Sequence, residues 1–225
     1  MLSKIDILGS SSDGNAYVLS FDNKVKVQLD AGVKNPKANE IDLCCVSHEH
    51  IDHNKYIKDF SKEQCRLYDY TTCGDTFIST QALTVTAFKV PHEVKNYGFM
   101  IDCDDERVLY ITDCDYSQLD IEDIECYDPT VLMIECNWDK FLIDQGEIKR
   151  QSYSDYALKN HMSNLDCLNL ISELKISKNC KIIFLHKSRH HATYENTYKM
   201  FDSLPNKKYI AKEGETLYVK SWKAI

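Results

Sequence analysis

Short apolar runs separated by turn residues dominate the first half of the chain and predict β-strands. Residues 2–8 alternate loosely between apolar and polar side chains and end at Gly9. Residues 16–21 and 25–29 are apolar runs on either side of Asp22-Asn23, which is a hairpin signal. Further strands are predicted at residues 43–46, 83–90, 97–101, 108–111 and 131–135.

Helical patterns become more frequent in the second half. Ser163 is a predicted N-cap, because Asp166 follows at the third position of the helix. That helix carries apolar residues at helical spacing, namely Leu165, Leu168, Ile171 and Leu174. Other predicted elements are helices at 153–159 and 194–203 and strands at 181–185, 209–211 and 217–219. The order of elements predicts sheets packed face to face between helical layers.

A dense histidine cluster follows the predicted strand at 43–46. His48, His50 and His53 fall within six residues, and Asp52 lies between them. Residues i and i+2 of an extended segment point the same way, so His48 and His50 can bind one metal ion. After the turn, Asp52 and His53 can address a second ion, since imidazole and carboxylate both suit zinc. A solvated surface loop rarely carries four potential metal ligands in so tight a pattern.

Three more candidate ligands follow predicted strands. His92 comes after the strand at 83–90, Asp113 after 108–111 and His186 after 181–185. Ligands at the ends of neighbouring strands converge on one rim of a sheet, where they can complete two coordination spheres. The sequence therefore predicts a dinuclear centre that holds two divalent ions. Zn²⁺ suits this ligand set, and Mn²⁺ is compatible with it.

Taken in order along the chain, these residues resemble the five motifs of the metallo-β-lactamase superfamily, with Asp30 in Leu29-Asp30-Ala31-Gly32 as the first. The resemblance implies a four-layer αββα sandwich of two mixed sheets flanked by helices. It implies one ion on His48, His50 and His92 and the other on Asp52, His53 and His186. Asp113 would bridge the two ions, and Asp30 would orient the histidine cluster.

Two further segments resemble the phosphodiesterase branch of this superfamily, and YycJ/WalJ-type exonucleases in particular. The Gly-Ser-rich segment at residues 9–15 joins the first two strands, and His161-Met162-Ser163 precedes the capped helix. This chain has Asn160 where the branch usually has glycine, and His186-Lys187-Ser188 where it usually has His-Leu-Ser. The resemblance implies that Asp52, Asp113 and His161 are catalytic and that Ser163 and Ser188 contact the substrate.

A metal-dependent phosphodiesterase is therefore the predicted activity. A metal-activated water would hydrolyse DNA or RNA, and the enzyme would be an exonuclease. Hydrolysis of small cyclic nucleotides is the alternative, and hydrolysis of small esters, lactones or lactams is disfavoured by the His161 element. The histidines at 190 and 191 are more typical of exposed bystanders than of substrate contacts. A non-enzymatic interaction protein is a further alternative, which failure to bind metal would favour.

Composition and charge restrict the possible functions and the nature of the metal ligands. The net charge of −8 argues against bulk electrostatic binding of nucleic acid, although two dications would place about +4 where phosphate must sit. Ten cysteines without a Cys-x-x-Cys pair predict free thiols rather than a thiolate zinc site. The start of the chain does not resemble a signal peptide, and no apolar run predicts a membrane span. We expect one domain over residues 1–225 and a cytoplasmic location. The sequence leaves the oligomeric state open, although exposed strands could support a homodimer.

Overall fold

Two mixed β-sheets form the centre of the structure. It is a computed structural model that describes residues 1–60, 65–74, 77–124, 127–145, 155 and 158–221. The N-terminal sheet has the strand order β13-β1-β2-β3-β4-β5, and the C-terminal sheet has the order β12-β11-β10-β9-β8-β7-β6. The strands are β1 (Leu2–Ser11), β2 (Gly14–Phe21), β3 (Lys26–Leu29), β4 (Leu43–Val46), β5 (Arg66–Asp69), β6 (Phe77–Ser79), β7 (Thr84–Lys89), β8 (Tyr97–Cys103), β9 (Glu106–Ile111), β10 (Val131–Glu135), β11 (Lys181–Leu185), β12 (Lys208–Ile210) and β13 (Thr216–Tyr218).

Alternation along the strands builds a core on each side of the C-terminal sheet. The side facing the N-terminal sheet buries residues such as Phe99, Val108 and Met133 against the N-terminal strands. The opposite side buries Leu132 and Phe184 in a second cluster. A strand that buries both faces reads as a continuous apolar run, which is why β9, β10 and β11 were recognisable in the sequence.

Four α-helices have both ends within the described residues: α1 (Ile51–Asn54), α2 (Lys140–Asp144), α3 (Asn164–Glu173) and α4 (Tyr194–Met200). Residues 155 and 158–160 are helical as well. The α3 helix begins with a full capping box, in which Ser163 and Asp166 exchange hydrogen bonds through side chain and backbone. Its residues Cys167 and Leu170 pack into the second core cluster with Phe201, which follows α4. The predicted sandwich of two mixed sheets flanked by helices is confirmed.

The predicted elements agree with the structure except in short segments. The sequence reading missed β5 and β6, which have four and three residues, and it missed α1 and α2. Most of the helix predicted at 153–159 lies outside the described residues. The nine described cysteines are free thiols, as predicted, and all but Cys65 are buried. Across the described ranges, no helix combines the length and apolarity needed to cross a membrane.

Candidate metal centre

Strand ends and the α1 turn bring the seven predicted ligands to one rim between the sheets. His48 and His50 follow β4, and Asp52 and His53 lie on α1. Asp113 and His186 follow the parallel strands β9 and β11, so they leave the sheet at the same edge. Three sets of four potential ligands result, and within each set the ligand atoms lie within 4.8 Å of one another. Two of the sets consist of these seven residues, and the third joins Asp113 and His186 to Glu135 and His161.

The first set consists of His48, His50, His92 and Asp113. His92 Nε2 lies 3.3 Å from His50 Nδ1, and His48 Nε2 lies 3.7 Å from Asp113 Oδ2. The other ring nitrogen of His50, Nε2, lies 3.0 Å from Glu93 Oε1. A carboxylate on the far nitrogen fixes the orientation of a metal-binding imidazole, so Glu93 holds His50 with Nδ1 towards the centre.

The second set consists of Asp52, His53, Asp113 and His186. Asp52 Oδ2 lies 3.4 Å from His53 Nε2 and 3.3 Å from His186 Nε2. Asp113 Oδ1 lies 3.4 Å from His53 Nε2 and 3.7 Å from His186 Nε2. Because its Oδ2 faces the first set, Asp113 is the one carboxylate shared by both sets, which is the position predicted for the bridging ligand.

Asp30 contacts His53 at Nδ1, the ring nitrogen opposite the one that faces Asp52 and Asp113. Its Oδ2 lies 2.7 Å from His53 Nδ1 and accepts a 2.5 Å hydrogen bond from the Tyr110 hydroxyl, while its Oδ1 accepts from the backbone N–H of Ser47. Asp30 and His53 are both fully buried. The contact at Nδ1 leaves Nε2 of His53 facing Asp52 and Asp113, as the predicted role of Asp30 requires.

Three of the site residues have left-handed backbone conformations. Asp30, Asp113 and His186 have φ values of 56°, 50° and 50°. This region is uncommon for side chains other than glycine, although Asp and His adopt it more readily than most residues. Each of these residues directly ends or follows a strand, so the local strain redirects the chain and turns the ligand towards the shared centre.

Two side chains of the β1–β2 hairpin contact the predicted metal ligands. Ser10 Oγ accepts a 3.0 Å hydrogen bond from the backbone N–H of His186. The Asn15 side-chain amide, fully buried, lies 3.1 Å from His53 Nε2 and 3.4 Å from Asp52 Oδ2. The predicted Gly-Ser-rich segment is therefore mostly strand, and it supports the centre through a hydroxyl and an amide.

His161 lies beside the centre and is held by a buried glutamate. His161 Nδ1 lies 2.6 Å from Glu135 Oε1 and 3.8 Å from Asp113 Oδ2. The other oxygen of Glu135 accepts backbone hydrogen bonds from Cys114 and Met162. Burial by itself lowers the pKa of His161, but the charges of Glu135 and Asp113 outweigh it and raise the pKa to about 9. In the metal-free protein, the ring is therefore a cation at neutral pH.

A cavity of about 540 Å³ opens beside His161. It is lined by residues 11–13, Asn137, His161 and residues 188–191. Ser188 belongs to this wall, where its hydroxyl accepts from the backbone N–H groups of His190 and His191. Ser163, by contrast, is fully buried and its hydroxyl is bonded to Asp166. Of the two predicted substrate contacts, the structure thus places only Ser188 at the cavity.

The donor set fits a pair of divalent cations. His48 Nε2 is buried without a hydrogen-bond partner, and burial lowers the pKa of His48, which keeps the ring neutral as a metal ligand must be. Four carboxylates converge here, those of Asp30, Asp52, Asp113 and Glu135, and three of them are almost fully buried. Buried charge of one sign requires compensation, and two dications would supply about +4.

Glycine at position 32 is required by the approach of α1. A Cβ on Gly32 would lie 1.6 Å from the backbone oxygen of Asp52 and 2.8 Å from the backbone nitrogen of Asn15. We expect Gly32→Ala to displace the Asp52 segment, lower the metal content and destabilise the fold by about 1–3 kcal/mol. Denaturant unfolding and elemental analysis measure both effects. Gly74→Ala is the matched control, because a Cβ there meets nothing within 4 Å; equal behaviour of the two variants would contradict this reading.

Glu135 controls the charge of His161 in the metal-free protein. We expect Glu135→Gln to lower the pKa of His161 from about 9, because a neutral amide replaces the carboxylate at Nδ1 while burial remains. A pKa raised by folding stabilises the folded state fully below 6.5 and loses that effect as the pH rises through about 9. NMR titration of the His161 ring in both proteins measures the shift. Glu195→Gln, at an exposed ion pair with Lys199, should leave the titration unchanged.

Glu93, Tyr110, Glu135 and Asn137 contact the site but were not predicted from the sequence. Asn15 lies in the Gly-Ser-rich segment at residues 9–15, but no role was predicted for it. Glu135 ends an apolar strand just as the predicted ligands follow theirs, so the same signal could have found it. Asn15 and Asn137 carried no comparable signal. The Asn137 amide lies 2.7 Å from His186 Nδ1 and donates to the His186 carbonyl, which fixes that ring.

No protein-family model matches the sequence, and no curated protein matches it. Several solved structures are similar to this chain. The metallo-β-lactamase fold protein YhfI from Bacillus subtilis is similar with a TM-score of 0.69 and 17% identity, over 95% of this chain and 98% of that one. The short form of human tRNase Z has a TM-score of 0.63 and 13% identity, over 95% and 98%. Zn²⁺-bound PqqB from Methylobacterium extorquens has a TM-score of 0.63 and 14% identity, over 95% and 99%. The chain therefore has the metallo-β-lactamase fold.

Proposed function

We propose that this protein is a two-metal phosphodiesterase that hydrolyses nucleic acid, with YycJ/WalJ-type exonucleases as the branch it resembles. The observation that carries the proposal is the Glu135–His161 pair beside the carboxylate shared by both ligand sets. Hydrolysis of a phosphodiester requires a group that stabilises or protonates the leaving oxygen. The short form of human tRNase Z is among the similar structures, which also supports nucleic acid as the substrate.

The ligand sets assign the residues that would hold the ions. One ion would be held by His48, His50 and His92, the other by Asp52, His53 and His186, and Asp113 would join both. Bound dications supply an activated water and offset the negative charge of the phosphoryl oxygens. Zinc suits this imidazole-rich set, and the similarity to a Zn²⁺-bound structure supports zinc over manganese.

Side chains of the protein would bind the substrate and transfer the proton. Glu135 occupies Nδ1 of His161, which leaves Nε2 as the ring atom for the substrate. From there His161 would contact the scissile phosphate or give a proton to the leaving oxygen. The wall that includes Ser188 would contact the adjoining part of the substrate. We also propose one domain over residues 1–225; a cytoplasmic location and a homodimer stay predictions.

Small cyclic nucleotides are the second candidate substrate class. The cavity of about 540 Å³ lies within the range of small-molecule sites, roughly 300–1,000 Å³. The net charge of −8 also offers little bulk attraction for a nucleic-acid strand. Both observations suit a small substrate as well as the end of a strand.

The deciding experiment compares substrates with one protein preparation. Purified protein loaded with Zn²⁺ or Mn²⁺ is incubated with bis-p-nitrophenyl phosphate, 5′- and 3′-labelled single- and double-stranded DNA and RNA, cyclic nucleotides, and a lactone. Chelator-treated protein serves as the control. Cleavage of strands and of the model phosphodiester is the expected result. Opening of cyclic nucleotides with intact strands would select the second candidate, and turnover of the lactone alone would refute both.

A further inference from the structure

An ion-pair bridge forms part of the wall of the cavity beside His161. The Arg189 guanidinium, in the loop after β11, donates to the Asp13 carboxylate at the tip of the β1–β2 hairpin. It also lies 3.3 Å from Glu213 Oε2. Asp13 and Arg189 both line the cavity, although 176 residues separate them in the chain. The bridge therefore connects two chain segments that line this cavity.

Stability does not explain the bridge. The side chains of Arg189, Asp13 and Glu213 are 57%, 70% and 61% exposed. Ion pairs this exposed are screened by solvent and contribute little to the free energy of folding. Their position in the wall, rather than their energy, is what distinguishes them from the other surface ion pairs.

Hydrogen-bond donors dominate the rest of the wall. It presents the hydroxyls of Ser11, Ser12 and Ser188 and the imidazole of His191, and Ser188 Oγ lies 3.1 Å from His191 Nδ1, so these two groups are paired. Asp13 is the one carboxylate of the wall and is paired with Arg189. Hydroxyl, imidazole and guanidinium donors are the groups that proteins use for phosphate and sugar oxygens. The cavity also borders His161, so a group bound there would be continuous with a phosphate at the metal centre.

We propose that this cavity binds the single terminal nucleotide of a nucleic-acid strand and that the Asp13–Arg189–Glu213 bridge blocks the next nucleotide. The inference rests on the proposed phosphodiesterase function. A strand would then enter end first, with its outermost phosphodiester at the metal centre. Water adds to phosphorus, the bond from phosphorus to the leaving oxygen breaks, and that oxygen takes up a proton. One mononucleotide and a strand shortened by one unit are the products.

Removal of the bridge should change the length of the products. Wild-type protein and Arg189→Ala are compared on an end-labelled single-stranded oligonucleotide and on circular single-stranded DNA, which has no ends. The wild type should release mononucleotides and leave the circle intact. In Arg189→Ala, we expect the ratio of di- and trinucleotides to mononucleotides to rise about tenfold, a typical effect of reshaping a specificity pocket. Opening of the circle should appear as well.

Two further variants complete the design. Lys220→Ala breaks an exposed ion pair with Asp22 outside the cavity and should keep the wild-type product pattern. Arg189→Lys can retain one of the two ion pairs and should give an intermediate ratio. The inference is overturned if Arg189→Ala, with normal metal content and melting temperature, keeps the wild-type products, or if the wild type itself opens circles or releases longer products. A wild type that hydrolyses bis-p-nitrophenyl phosphate but no nucleic acid refutes the nuclease proposal first, and this inference with it.

Discussion

Asp113→Asn is expected to lose at least one metal ion and nearly all phosphodiesterase activity. Asp113 is the one side chain shared by both ligand sets, with Oδ1 facing His53 and His186 and Oδ2 facing His48. An amide keeps the size of the side chain but offers one neutral oxygen in place of two charged ones. A bound ion contributes several kcal/mol to the stabilisation of the transition state, so we expect turnover to fall at least about 1,000-fold.

Asparagine is the better substitution here because of the backbone. Asp113 has a φ of 50°, and Asn tolerates this left-handed conformation where Ala is strained. A loss of metal in Asp113→Asn therefore reports on the carboxylate rather than on the fold. Elemental analysis gives the metal content, and Asp202→Ala, at an exposed position, is the control. Two tightly bound ions and normal turnover in Asp113→Asn would refute the bridging role.

Local patterns made most of the fold and the ligand cluster predictable. The strands at the centre of the C-terminal sheet are buried on both sides, so they appear as continuous apolar runs in the sequence. His48, His50, Asp52 and His53 are close in sequence, and their spacing alone indicated a metal site. His92, Asp113 and His186 were found because a polar residue after an apolar strand marks the rim of a sheet.

The parts that escaped prediction depend on distant contacts. The role of Glu135 follows from His161, which comes 26 residues later and reaches it only in the folded chain. The same holds for Asn15, whose amide meets Asp52 and His53 across the sheet edge. Ser163 was predicted both as a helix cap and as a substrate contact. Its hydroxyl is buried and bonded to Asp166, as a cap requires, and the substrate contact stays a prediction.

His161→Ala is expected to retain both metal ions and to lose turnover by about 100- to 10,000-fold, the usual contribution of a general acid or base. His161 belongs to neither predicted ligand set, so metal content should match the wild type. The loss should appear in kcat more than in KM, because a leaving-group proton matters mainly in the transition state. Elemental analysis and steady-state kinetics on bis-p-nitrophenyl phosphate and on an oligonucleotide measure both quantities. Loss of metal from His161→Ala would show that the ring is a ligand instead.

The Glu135→Gln/His161→Ala double variant tests whether Glu135 acts by positioning His161 or independently of it. Glu135 Oε1 lies 2.6 Å from His161 Nδ1 and 3.6 Å from His186 Nδ1, and its second oxygen accepts hydrogen bonds from the backbone of Cys114 and Met162. If Glu135 acts through His161, Glu135→Gln should reduce kcat in the wild-type background but add little in the His161→Ala background. Losses that simply multiply in the double variant would mean that Glu135 acts independently of His161. Because Asp113 and His186 also lie next to this pair, unchanged metal content in all three variants is the condition that makes the comparison decisive.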